Sequence, residues 1–72
     1  MKCVGTIKWY NEERGYGFVC PDNMDSNHFL HASAMADQNY IPIKGDRVIY
    51  EMIHTPKGPK ADNLSELRRD DS

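Results

Sequence analysis

Two short runs, Tyr16-Gly17-Phe18 and Phe29-Leu30-His31, place flat rings at a two-residue step. On an extended strand that step aims both rings of a run at one face. Rings on a common surface are suited to stacking on other flat groups. Three cations, Lys8, Arg14 and Lys57, lie in the neighbouring segments. Rings that stack on bases, at about 1–3 kcal/mol each, beside cations that track phosphates suit a single-stranded nucleic acid. Gly15 and Gly17 punctuate the first run and are expected to leave room for a flat ligand to approach the sheet.

The other reactive side chains form no comparable set. Cys3, Cys20, His28, His31 and His54 invite a zinc site, but no CxxC or HxxxH spacing occurs. His28 and His31 are three apart, so on a strand they face opposite ways. Gly15-x-Gly17 lacks the third glycine of a dinucleotide fingerprint, position 20 being Cys. His31 and Ser33 are the nearest catalytic pair, and no carboxylate stands by to orient the imidazole. No metal, no cofactor and no enzymatic activity are expected. The two cysteines are too few for a disulfide framework and are read as reduced.

The chain positions its rings with 72 residues, enough for one domain with one thin core and one working surface. A first strand is expected over Cys3 to Asn11, then a turn in which Gly15 takes positive φ. Tyr16 to Cys20 makes a second strand stopped by Pro21-Asp22-Asn23, and His28 to Ser33 a third. A loop over 34 to 45 carries Pro42 and Gly45; Arg47 to His54 makes a fourth strand. Pro56-Lys57-Gly58-Pro59 reads as a turn before a fifth strand over Ala61 to Leu67. No window has a sustained 3.6-residue apolar period, so the class is all-β, a sheet or barrel of five strands. Residues 1–67 are expected to form the single domain, and 68–72 a short solvated tail. No apolar run approaches the roughly 20 residues of a membrane span, and the start lacks a signal-peptide block, so a cytoplasmic location without membrane contact is expected.

Alternation supplies a core without the rings: Val4, Ile7, Val19, Leu30, Val48, Tyr50, Met52 and Leu64. With Val19 and Leu30 inside, Tyr16, Phe18, Phe29 and His31 form an exposed row, and such a patch on a small protein marks a binding surface. The opposite register buries the rings and exposes Val19 and Leu30. Strict alternation places Trp9 inside with Ile7, whereas a bulge near the turn brings it out, and the pattern alone leaves its side open. The net charge of −2 argues against a general polyanion binder. Distribution matters more than the total: acidic groups collect at Glu12-Glu13, Asp22, Asp25 and the tail, while the cations sit beside the rings.

The blocks GTIKWYNEERGYGFV, HFLHASA, KGDRVIYEMI and KGPKADNL occur in this order between about Lys2 and Leu67. Together they resemble a bacterial-type cold-shock protein. The resemblance implies a five-stranded antiparallel OB-fold β-barrel that binds single-stranded RNA and single-stranded DNA with little sequence specificity. It implies an RNA chaperone and regulator of transcription and translation. It implies contacts from Lys8, Trp9, Arg14, Tyr16, Phe18, Phe29 and His31, and from Tyr40 in the long loop and Lys57 in the last turn. Asn27 falls where the family often has an Asp bonded to a base edge. For Trp9 the resemblance favours the binding face. Ala32 stands where many bacterial members carry a third strand-three Phe, and His28 where an apolar inward residue is usual. Tyr10, Tyr16 and Tyr40 replace the commoner Phe. Arg14 to Val19 also matches six positions of the signature of RNA-recognition motifs, but Pro21 replaces its aromatic and the chain has no room for that fold's two helices. The alternatives for the same face are a protein-interaction module and a dimer interface. A monomer is expected, with the 34–45 loop offering a hinge for a strand-swapped dimer.

Overall fold

In a computed structural model, residues 2–23 and 25–67 are described; the expected tail at 68–72 lies outside them. Strands β1 (Lys2–Asn11), β2 (Tyr16–Pro21), β3 (His28–His31), β4 (Arg47–Thr55) and β5 (Gly58–Glu66) close into a barrel in the order β1-β2-β3-β5-β4. The β1–β2, β2–β3, β1–β4 and β4–β5 pairs are antiparallel, as expected. Closure depends on a parallel seam between β3 and β5, where Phe29 pairs with Lys60.

Local chemistry sets the element ends. In the β1–β2 turn, Asn11 Oδ1 accepts from the Arg14 N–H at 3.0 Å and Gly15 adopts φ +74°. Strand β3 stops at His31, two residues early, because His31 caps a 3₁₀ turn over Ala32–Ala34 and its Nδ1 accepts from the Ser33 N–H at 3.1 Å. Strand β5 starts at Gly58, earlier than expected. Thr55 and Gly58 already pair across Pro56-Lys57, and the Thr55 hydroxyl donates to the Gly58 carbonyl at 2.6 Å.

Two irregularities decide which side chains face in. Ile7 pairs with Val19 and Trp9 with Phe18, so Lys8 is an extra residue in β1. That bulge leaves Ile7 1% exposed and turns Trp9 outward at 42%. In β5, Ser65 pairs with Ile49 and Asp62 with Glu51, and Asn63 lies between them at φ +50°. Ala61 and Leu64, three apart, therefore both reach the core.

The core gathers Ile7, Val19, Leu30, Val48, Tyr50, Met52 and Leu64, as alternation implies, with Cys3, Ala34, Met35 and Ala61 added. Val4 is the exception. It is only partly buried, and Cys3 takes the inward position because the phase of β1 runs Cys3, Gly5, Ile7 before the bulge. Gly17 also has a different role from the one expected. A Cβ there would lie 2.6 Å from Tyr10 Cα and closer still to the Trp9 carbonyl oxygen. Gly17 thus lets β1 approach β2 closely and opens no path for a ligand.

Candidate nucleic-acid interface

The outward residues of β1, β2 and β3 come into register. Trp9 pairs with Phe18, Phe18 with Phe29, and Phe29 with Lys60, so one row crosses four strands. A second row holds Asn11, Tyr16 and His31. Cross-strand neighbours lie about 4.5–5.5 Å apart at Cβ, close enough for rings to touch. They do: Trp9 and Tyr16 meet edge to face at 5.4 Å, and Tyr16 and Phe29 stack at 5.9 Å with planes 24° apart. Phe18 contacts Trp9 at 6.4 Å and Phe29 at 5.9 Å. Each ring holds its neighbours in place, yet Trp9 and Phe29 remain 42% and 36% exposed. The surface is a preformed set of rings open to a flat partner.

His31 extends this face. Its Nδ1 accepts from the Ser33 N–H and lies 2.9 Å from the Ser33 hydroxyl. Because Nδ1 is an acceptor, the neutral ring carries its proton on Nε2. The His31–Ser33 contact is a local cap, and it accounts for the spacing that suggested a nucleophile and its base.

Beside Phe18 and Phe29 a cleft of about 670 Å³ runs to the β4–β5 turn, where Pro56, Lys57, Pro59 and Lys60 line it. Lys57 thus stands next to the rings. Lys60, at the end of the Lys57-Gly58-Pro59-Lys60 turn motif, is brought opposite Phe29 by the parallel seam. Lys8 projects from the bulge beside Trp9, Arg14 is exposed in the β1–β2 turn, and Asn27 is exposed just before β3. Tyr40 is not brought to the rings. It packs against the core, and its hydroxyl donates to Asp46 Oδ2 at 2.7 Å. Burial, then that bond, pushes the Tyr40 phenol far above its ordinary pKa.

The acidic groups are partly tied off. Asp22 makes paired hydrogen bonds with Arg47 at 2.7 and 2.8 Å, which hold its carboxyl below the usual range, and Arg47 also donates to Thr6. Among the described residues no three His, Cys, Asp or Glu side chains gather as metal ligands, and no helix is long and apolar enough to cross a membrane. On the inner face His28 is 1% exposed and shares a hydrogen bond of 2.9 Å with the Tyr50 hydroxyl. Desolvation, then nearby His54, lowers its pKa below the ordinary histidine value.

A closed five-stranded barrel with rings on its outer β1–β2–β3 face defines an OB-type, nucleic-acid-binding class of domain. The solved structure of the Drosophila Unr chain CSD456 superposes with a TM-score of 0.81 over the whole of this chain, at 21% identity and over 29% of that chain. The family model described as "'Cold-shock' DNA-binding domain" matches residues 3–67. The major cold shock protein of Micrococcus luteus is 40% identical over 65 residues, covering 89% of this chain and 97% of that protein. The cold shock-like protein CspE of Escherichia coli K12 is 36% identical over 67 residues, covering 92% and 97%. The chain belongs to the cold-shock domain family.

Proposed function

We propose that residues 1–67 act as one single-strand-binding unit that takes RNA and DNA with little sequence specificity. One observation carries this reading: Trp9, Tyr16, Phe18 and Phe29 contact one another on the outside of a barrel whose core is complete without them. Bases stack on these rings and on His31, Asn27 reaches a base edge, and Lys8, Arg14 and Lys57 track the phosphates. Stacking is sequence-tolerant because every base has a flat face. Tyr40 supports the loop beside this surface in place of the stacking role that the resemblance implied.

A strand held on the rings cannot pair with its complement, so the monomeric protein keeps RNA open without ATP. Transcription and translation in the cytoplasm then respond through the availability of unpaired RNA.

The test is a titration of Trp9 fluorescence with oligothymidine, its RNA counterpart and a duplex, at several salt concentrations. Saturable quenching by both single strands and a far weaker response to duplex are expected. About 3 to 4 phosphate contacts give a log–log salt slope of roughly −2 to −3. Equal binding of duplex, or no response from a folded protein, refutes the reading.

A further inference from the structure

We propose that the groove between β1 and the 40–46 loop is an additional nucleotide subsite, which takes the base next to the one stacked on Trp9. The proposal rests on the single-strand reading above and extends its footprint. The groove has a volume of about 490 Å³ and is lined by Trp9, Tyr10, Glu12, Ile41, Ile43 and Lys44. Trp9 belongs both to the ring face and to this groove, so a strand leaving the rings enters it without a break.

Its outer wall is apolar and exposed for no reason that the core supplies. Ile41 and Ile43 are 48% and 66% exposed, more than Trp9 or Phe29 on the neighbouring face. The wall is also fixed to the barrel. The Ile43 N–H donates to Asp46 Oδ2 at 3.1 Å, and the Asp46 N–H donates to the Ile43 carbonyl at 2.9 Å. Gly45 and Asp46 bond the backbone of Ile7 at 2.9 and 2.8 Å, and the Tyr40 hydroxyl holds the same Asp46 carboxylate. A wall ordered in advance loses little freedom when a ligand arrives. A base slid between the Trp9 indole and the isoleucines covers apolar surface on both of its faces.

The polar groups orient that base. Lys44 lines the groove and also an adjoining hollow that it shares with Lys8, so two ammonium groups flank the place a phosphate would cross. Glu12 stands in the groove wall near the Tyr10 hydroxyl, whose pKa is raised by burial and then by that carboxylate. A carboxylate repels phosphate and accepts from an exocyclic amino group. The backbone therefore runs on the Lys44 side with the base edge toward Glu12, which favours the amino-bearing bases guanine, cytosine and adenine over thymine and uracil.

The experiment measures anisotropy of labelled oligothymidines of about 4 to 8 nucleotides, within the range of site sizes for one such fold. It uses the natural chain and the exposed double variant Ile43→Ser, Lys44→Gln. In the natural chain the nucleotide that reaches the groove tightens binding about tenfold, as one stacked base does. The double variant loses that gain, binds the shortest oligomer equally well, and has a salt slope reduced by about 0.7 on the longest. A terminal cytosine in that position binds about threefold tighter than thymine, and Glu12→Gln removes the difference, the size of one net hydrogen bond. No gain with length, equal weakening of short and long oligomers, or a natural dimer that Ile43→Ser dissociates overturns the subsite alone. The last result would show a second copy filling the groove. Failure of every oligomer to bind overturns the single-strand reading as well.

Discussion

Strands β2 and β3 carry two surfaces built from alternate residues of the same segments. Inward, Val19, His28 and Leu30 are at most 1% exposed; outward, Tyr16, Phe18, Phe29 and His31 meet solvent or one another. The inner side is aliphatic with one histidine, whereas the outer side holds the larger rings. In a barrel of this size the usual preference for burying aromatics is inverted, because a core of Ile, Val, Leu, Met and one Tyr already fills the interior. The two faces should therefore fail in different ways, the inner by unfolding and the outer by losing ligand.

The largest effect expected on the inner face is from Leu30→Ala. Truncating a fully buried leucine costs about 2–5 kcal/mol, most of what a domain this small holds in reserve. Urea unfolding followed by circular dichroism should show it, and any fraction still folded should bind oligothymidine normally. A stable Leu30→Ala protein with lost affinity would break the division between the faces.

His28 sharpens the same division through pH. Its pKa is lowered in the fold, so the unfolded chain takes up the proton first. The stability linked to neutral His28 is present above the unfolded value near 6.5 and is lost as pH falls from there toward the lower folded value. The slope contributed by this one proton is at most about 1.4 kcal/mol per pH unit within that window. Melting curves from pH 7.5 to pH 5 should show the natural chain losing more stability than His28→Val, with His31 and His54 common to both. Equal slopes would mean that His28 titrates as freely in the fold as in the open chain.

Ala32→Phe is the smallest change and should act on the outer face alone. Restoring the ring that many family members carry there is expected to tighten single-strand binding about fivefold, the low end for one stacked base. Parallel titrations of the two proteins measure it. A change in Tm without a change in affinity would assign position 32 to the core.

Much of this division is legible in the sequence, and the exceptions have physical causes. On β2 and β3 the two-residue step of rings against Val19 and Leu30 decides the facing, since a slip of one residue would reverse every side chain. Trp9 resists that reasoning because the bulge at Lys8 breaks the period just before it. Cys3 and Val4 exchange their expected places because a small thiol and a β-branched side chain both suit a strand, and only the pairing with β4 sets the phase. Lys60 reaches the rings through a parallel seam between segments some thirty residues apart, and local patterning carries no trace of that. That Tyr40 packs against the core with its hydroxyl on Asp46 is likewise not legible in the sequence, since the loop has no period. The groove under Ile41 and Ile43 is hidden for a similar reason, since the loop shows no period and its shape comes from bonds to Ile7.

The most direct test of the central claim puts one outer-face variant through both a binding and a stability measurement. Phe18→Ala with Phe29→Ala should weaken binding of oligothymidine at least about thirtyfold, two stacked bases being lost. Urea unfolding of the same protein should shift by far less than Leu30→Ala shifts it. A double variant that unfolds as readily as Leu30→Ala, or that binds as tightly as the natural chain, would contradict the account.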